Sequence, residues 1–170
     1  MADSLTTRLA DPSDQPGIIE LIDSVYQEYG DRICLTGADQ DLLDLQGSYF
    51  DQDGAFWVVE DSKGVIVGTH AAKPISEPQT EGASQHTTCT FRRLYLKRTL
   101  RGSQLGSDLM ELTLQWAREN GFNRVEFWSD TRFERAHRFF SKLGFQKTTA
   151  IRHLNDGIAP YSEFLFFIDL

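Results

Sequence analysis

Leu94-Tyr95-Leu96-Lys97-Arg98-Thr99-Leu100-Arg101-Gly102-Ser103-Gln104-Leu105-Gly106-Ser107 runs from a strand-like segment through a basic, glycine-containing turn into a helix. The helix is read from Leu105, Leu109, Leu112 and Trp116, which recur at helical spacing, and from Asn120-Gly121, which closes it. The first N–H groups of a helix have no intrahelical acceptor and lie at the positive end of its dipole, so such a turn suits an anion. Gly102, Ser103, Gly106 and Ser107 are small enough to admit a pyrophosphate close to the backbone, and Lys97, Arg98 and Arg101 add positive charge. The same residues also make an ordinary strand-to-helix connection with solvated basic side chains. A P-loop needs Gly-Lys followed by Ser or Thr, and a dinucleotide fingerprint needs three spaced glycines; the segment has neither.

Outward from this turn, periodicity predicts the order β, α, α, β, β, β, α, β, α, β, β. Leu5 to Ala10 reads as a strand, and Ile18, Leu21, Ile22 and Val25 mark a helix ended by Gly30. A second helix is read from Asp39 to Tyr49, with Gly47 against it. Phe56 to Glu60 and Val65 to His70 flank a hairpin turn at Asp61-Ser62-Lys63-Gly64. Pro74 to Thr88 has no apolar period and reads as a mobile loop before a strand from Cys89 to Lys97. Val125 to Trp128 is a short strand, Ala136, Phe139, Phe140 and Leu143 mark a last helix, and two strands close the chain around Asn155-Asp156-Gly157. Tyr161 to Ile168 is long and apolar for a terminal strand; as an uncovered edge it predicts a homodimer.

At 170 residues the chain is expected to form one domain, 1–170. Its 40% apolar and 25% charged residues suit a globular protein, and a net charge of −8 disfavours nucleic acid and anionic membranes as partners while easing the approach of cationic or amine-bearing ones. The N-terminus has no basic start or apolar run, and no window approaches the ~18 apolar residues of a membrane span, which predicts a cytoplasmic protein. Cys34 and Cys89 form no Cys-x-x-Cys pair, and the histidines at 70, 86, 137 and 153 lack metal-ligand spacing, so neither a disulfide framework nor a metal is expected.

Arg101-Gly102-Ser103-Gln104-Leu105-Gly106 resembles the Arg/Gln-x-x-Gly-x-Gly/Ala signature of the GNAT superfamily of acyl-CoA-dependent N-acetyltransferases, with Gln104 where the family usually has its first glycine. Arg93-Leu94-Tyr95-Leu96 resembles the family's strand entry. Glu126-Phe127-Trp128-Ser129-Asp130 and Ala136-His137-Arg138-Phe139-Phe140-Ser141-Lys142-Leu143-Gly144-Phe145 resemble its later strand and helix. The strong resemblance covers residues 89–146. It implies a mixed α/β fold, a twisted and mostly antiparallel central sheet with helices on both faces. Its fourth and fifth strands would splay to admit the pantetheine arm of acetyl-CoA. The backbone of Tyr95 and Leu96 would then bind the pantetheine amides, and Arg101, Gly102, Ser103, Gln104, Leu105, Gly106 and Ser107 would hold the pyrophosphate. Asp130, Phe139, Phe140 and Lys142 would complete the cofactor site, with Arg132 and Arg135 near phosphates or adenine. The implied reaction is attack of a neutral primary amine of a small molecule or peptide on the acetyl thioester, with the oxyanion met by an N–H near Leu96.

Two departures bear on the chemistry. Thr90 stands where many members carry a glutamate base, leaving Glu126, Glu163, His70 and His86 as candidates. Phe140 stands where the family carries a tyrosine acid, which leaves Tyr161 or water as donor. Tyr26, Glu28, Tyr29, Asp39, Asp41 and Asp44 fall in the region where the family builds its acceptor pocket and would suit an amine. The two departures also fit an acyl-CoA-binding regulatory module without turnover, and the anion turn fits an unrelated α/β nucleotide-binding enzyme.

Overall fold

Residues 4–170 are described by a computed structural model. Strands β1 (Thr6–Leu9), β2 (Ala55–Glu60), β3 (Ile66–Pro74), β4 (Thr88–Leu96), β5 (Arg124–Asp130), β6 (Gln146–Leu154) and β7 (Tyr161–Asp169) form one sheet in the order β1-β2-β3-β4-β5-β7-β6. Every pairing is antiparallel except that of β4 with β5. Strand alternation sends successive side chains to opposite faces. On β2, Phe56 and Val58 pack with Ile18, Leu21 and Ile22 of helix α1 (Gln15–Gln27), whereas Trp57 packs with Met110 and Leu114 of α3 (Leu105–Glu119). Phe140 of α4 (Glu134–Lys142) joins the second cluster, so helices cover both faces, as the motifs implied.

Three expectations need correction. The helix read from Asp39 to Tyr49 is a 3-10 turn at Gln40–Leu43 and a single helical turn, α2 (Leu45–Ser48); Asp44 caps it by accepting the Gly47 N–H at 2.9 Å. The loop between β3 and β4 is not free: the buried carboxylate of Glu126 accepts the N–H groups of Gln79 and Thr80 and the Thr80 hydroxyl. The terminal strand β7 is no edge, because it lies between β5 and β6, which removes the ground for the expected dimer. Its apolar composition reflects partners on both sides, and the edge beside it is β6, with polar Gln146, Lys147, Thr148 and Arg152.

The parallel pair is short. Thr88 and Cys89 meet Arg124 and Val125, after which β4 leaves β5. Further along the diverging stretch β4 carries a bulge: Thr69 faces Tyr95 and Ala71 faces Arg92, so Arg93 and Leu94 stand against His70 alone. Arg93 has φ 60°, a left-handed conformation that costs a non-glycine residue about 1–3 kcal/mol unless the surroundings enforce it. They do so through its buried guanidinium, which donates to Asp39 at 2.7 Å, to both oxygens of Asp41, to the Tyr26 hydroxyl at 3.3 Å and to the Ala38 carbonyl at 3.3 Å. Removing one partner of such a buried set strands the others. Arg93→Met is expected to lose about 3–5 kcal/mol in urea unfolding, and a loss below about 1 kcal/mol would show that the bulge does not depend on this network.

Candidate functional site

Where β4 and β5 part, a cleft of about 1020 Å³ opens, lined from β3 by His70 and Lys73, from β4 by Thr90 to Tyr95, from β5 by Phe127 to Asp130 and from β7 by Tyr161 and Glu163. Over it the segment after α1 meets the β6–β7 turn: the Ala38 N–H donates to the Asp156 carbonyl at 2.8 Å. That approach requires Gly37, since a Cβ there would lie 1.9 Å from the same oxygen.

The turn into α3 follows directly on the diverging end of β4. Among the described residues, the N–H groups of Gly102, Ser103, Gln104, Gly106 and Ser107 have no acceptor, and that of Leu105 has only a 3.4 Å contact to the Ser103 hydroxyl. Gly102 adopts φ +81°, and the Arg135 guanidinium lies 3.0 Å from the position its Cβ would take. Free N–H donors, a left-handed glycine and a cation beside it are what an anionic pyrophosphate needs, so the turn fits the group that the motif implied. Arg101 differs from expectation. Its guanidinium grips Glu28 at 2.6 and 2.8 Å and donates to the Leu96 carbonyl at 3.0 Å, so it ties α1 to the turn instead of offering charge. Arg132 is likewise committed, to Asp130 and Asp31. Phe139 packs near Gly106, while Lys142 is exposed on α4 and outside the cleft lining.

The backbone register shifts one expectation by a residue. Lys97 donates its N–H to Val67 at 2.8 Å, so Tyr95, two residues back and facing Thr69, also turns its peptide groups to β3. Leu94 and Leu96 therefore present the N–H groups that face the opening.

The titratable candidates separate clearly. Glu126 holds the β3–β4 loop and does not line the cleft. His70 is buried against α3: the Thr113 hydroxyl donates to Leu109 at 2.8 Å, so the His70 Nδ1 at 2.8 Å from it carries the proton, and burial pulls the imidazole down to about 4. His86 sits exposed in the loop, away from the cleft. Tyr161 lines the cleft but donates its proton to Asp156 at 2.7 Å, and burial with that carboxylate pushes its pKa up. Cys89 is buried and pushed up to about 12, an inert thiol. Glu163 stands apart. It lines the cleft, burial raises its pKa, and its one side-chain partner among the described residues is Arg152, at 3.2 and 3.3 Å.

The acids expected to greet an amine are already engaged. Asp39 and Asp41 hold Arg93, Glu28 holds Arg101, and Asp44 caps α2. Two of the cations lining the cleft, Arg92 and Lys73, were not singled out in the sequence, because a basic residue at a strand position reads as solvated until its neighbours are known.

Residues 20–145 match the family model described as acetyltransferase (GNAT) family. The chain is 35% identical over 108 residues to N-acetyltransferase family 8 member 2 of Rattus norvegicus, an alignment covering 64% of this chain and 46% of that protein. It thus spans about half the length of that relative. It is 30% identical over 136 residues to the uncharacterized N-acetyltransferase YjgM of Escherichia coli, covering 78% of this chain and 77% of that one. Among solved structures, a GNAT-family acetyltransferase from Staphylococcus aureus superposes with a TM-score of 0.79 at 18% identity, covering 98% of this chain and 99% of the other. The acetyltransferase yncA from Salmonella typhimurium, solved with acetyl-CoA, superposes at 0.69 and 18% identity over 98% of this chain and 94% of its own. No helix among the described residues is long and apolar enough to cross a membrane. Family model, bacterial relative and fold agree: the chain belongs to the acetyltransferase (GNAT) family.

Proposed function

We propose that this protein moves an acetyl group from acetyl-CoA to a primary amine, with both substrates held together in the cleft. The observation that carries the reading is the juxtaposition of an open β4–β5 seam with a helix-start turn whose N–H groups lack acceptors. Acetyl-CoA would supply the activated acyl thioester. The turn from Gly102 to Ser107, with Arg135 beside it, would bind the pyrophosphate, and the N–H groups of Leu94 and Leu96 would bind along the arm as an added strand does. Glu163 is the base of this reading. A carboxylate whose charged form is disfavoured by burial accepts a proton from an ammonium more readily than a solvated one. Tyr161, committed to Asp156, braces the roof of the cleft. The remaining rate comes from holding amine and thioester in one orientation.

Thiol release from acetyl-CoA over a panel of amines tests the activity. Glu163→Gln should lower kcat/KM by about 10²–10⁴-fold. The base works deprotonated, so the wild-type rate should rise with pH through a pKa above the ordinary glutamate value, and that limb should vanish in the variant. An unchanged rate and profile would remove Glu163 from the mechanism.

Gly106→Val tests the binding turn. Its Cβ would touch Leu96 at 3.5 Å and Phe139 at 3.7 Å, so the branches of Val must crowd the start of α3. Acetyl-CoA binding, measured by calorimetry, should weaken at least ~10-fold; equal affinity in a folded variant would place the pyrophosphate elsewhere.

A further inference from the structure

We infer that the acceptor amine carries a carboxylate close to it, as an α-amino acid does, with Arg92 and Lys73 binding the carboxylate while the amine faces Glu163. The inference rests on the acetyltransfer reading of the same cleft.

The two cations share a face. Ala71 packs in the α1-side cluster and lies opposite Arg92, and Lys73 follows Ala71 by two residues, opposite Thr90. Arg92 and Lys73 are therefore diagonal neighbours across β3 and β4, both lining the cleft. Neither has a carboxylate of its own among the described residues. The Arg92 side chain is 40% exposed, and its nearest acid, Asp41, lies 4.0 Å away and is already bound by Arg93 and by the Tyr49 hydroxyl. The Lys73 ammonium donates only to neutral oxygens, the Ser48 carbonyl at 3.2 Å and Gln52 at 3.3 Å, above the Tyr49 ring. Burial, and Arg92 beside it, hold that ammonium below its ordinary pKa, a strain that a bound anion relieves. A carboxylate enters the same cleft from β7. It is Glu163, near enough for Arg92 to be felt at its carboxyl, and its partner Arg152 is anchored over the Trp128 ring at 4.5 Å. A cationic corner in one cleft with a carboxylate base is complementary to a small zwitterion and poorly matched to a simple alkylamine, whose apolar body would leave Lys73 without a counter-charge and Arg92 with only the 4.0 Å contact to Asp41. Arginine also recognises carboxylates through two parallel hydrogen bonds, which fixes orientation as well as charge.

The test compares L-amino acids with their own C-terminal amides at saturating acetyl-CoA, by thiol release. The amides have the less basic amines and hold more of the neutral form, so a preference for the acids cannot come from amine ionisation. The acids should be favoured at least ~10-fold in kcat/KM, the order expected for one charge-assisted contact, and Arg92→Gln should bring the acid-to-amide ratio close to one. Thermal stabilisation by acetyl-CoA checks that the variant is folded, and Lys73→Gln, expected to lower the same ratio, keeps the test open if Arg92→Gln does not fold. Amides turned over as well as acids would overturn the acceptor assignment and leave acetyltransfer standing. Dipeptide amides beginning with Asp offer the carboxylate from a side chain, and a preference for them over free amino acids would overturn the free amino acid as acceptor. No thiol release from any set, with acetyl-CoA bound, would overturn the acetyltransfer reading and this assignment with it.

Discussion

The buried Arg93 guanidinium is the contact on which the site depends. It sits in a left-handed backbone conformation in the middle of a strand, and its donors go to Asp39, Asp41, Tyr26 and the Ala38 carbonyl. A charge taken out of water at this depth is tolerable only where opposite charges and hydrogen bonds replace its hydration. Two carboxylates meet one guanidinium, so the set carries excess negative charge; Arg92 and the Tyr49 hydroxyl, both turned toward Asp41, offset it. The bulge lies on the stretch of β4 that has already left β5, and the same ion pairs hold the segment after α1 over the opening.

This arrangement separates net charge from local charge. The chain is acidic, with a net charge of −8, yet the acids near the acceptor side are bound internally by Arg93, Arg101 and α2. The lining nonetheless includes two cations from β3 and β4, Lys73 and Arg92, beside the partly desolvated Glu163 from β7 and Glu77 from the β3–β4 loop. Long-range attraction of an amine and close-range recognition of its neighbouring group can thus be served by different residues, because screening over a Debye length of about 8 Å confines the second to direct contacts.

The positions where residue patterns and structure disagree share one cause. Glu126, Arg101, Asp39 and Asp41 are correct residue types for a site, and each is engaged by a partner distant in sequence: Glu126 by the β3–β4 loop, Arg101 by α1, the two aspartates by β4. Nothing in local spacing distinguishes a carboxylate that faces a ligand from one that faces an arginine fifty residues away. The terminal strand misleads in the same manner, since an apolar run signals burial but not which neighbours supply it.

The amino-acid sequence by itself determined the order of strands and helices and, through the resemblance of its motifs, the family and the mostly antiparallel mixed sheet, and it marked the turn from Arg101 to Ser107 as a candidate anion site. The element order and the turn depend on short-range causes: apolar periodicity, glycine conformations and the unpaired N–H groups that every helix start carries. Only the tertiary structure decided which peptide groups of β4 face the opening, which acids are neutralised, that β7 is internal, and that Arg92, Lys73 and Glu163 share one cleft. Those outcomes are set by strand register and by ion pairs between distant elements, where a shift of one residue reverses the direction of every N–H and side chain along the strand.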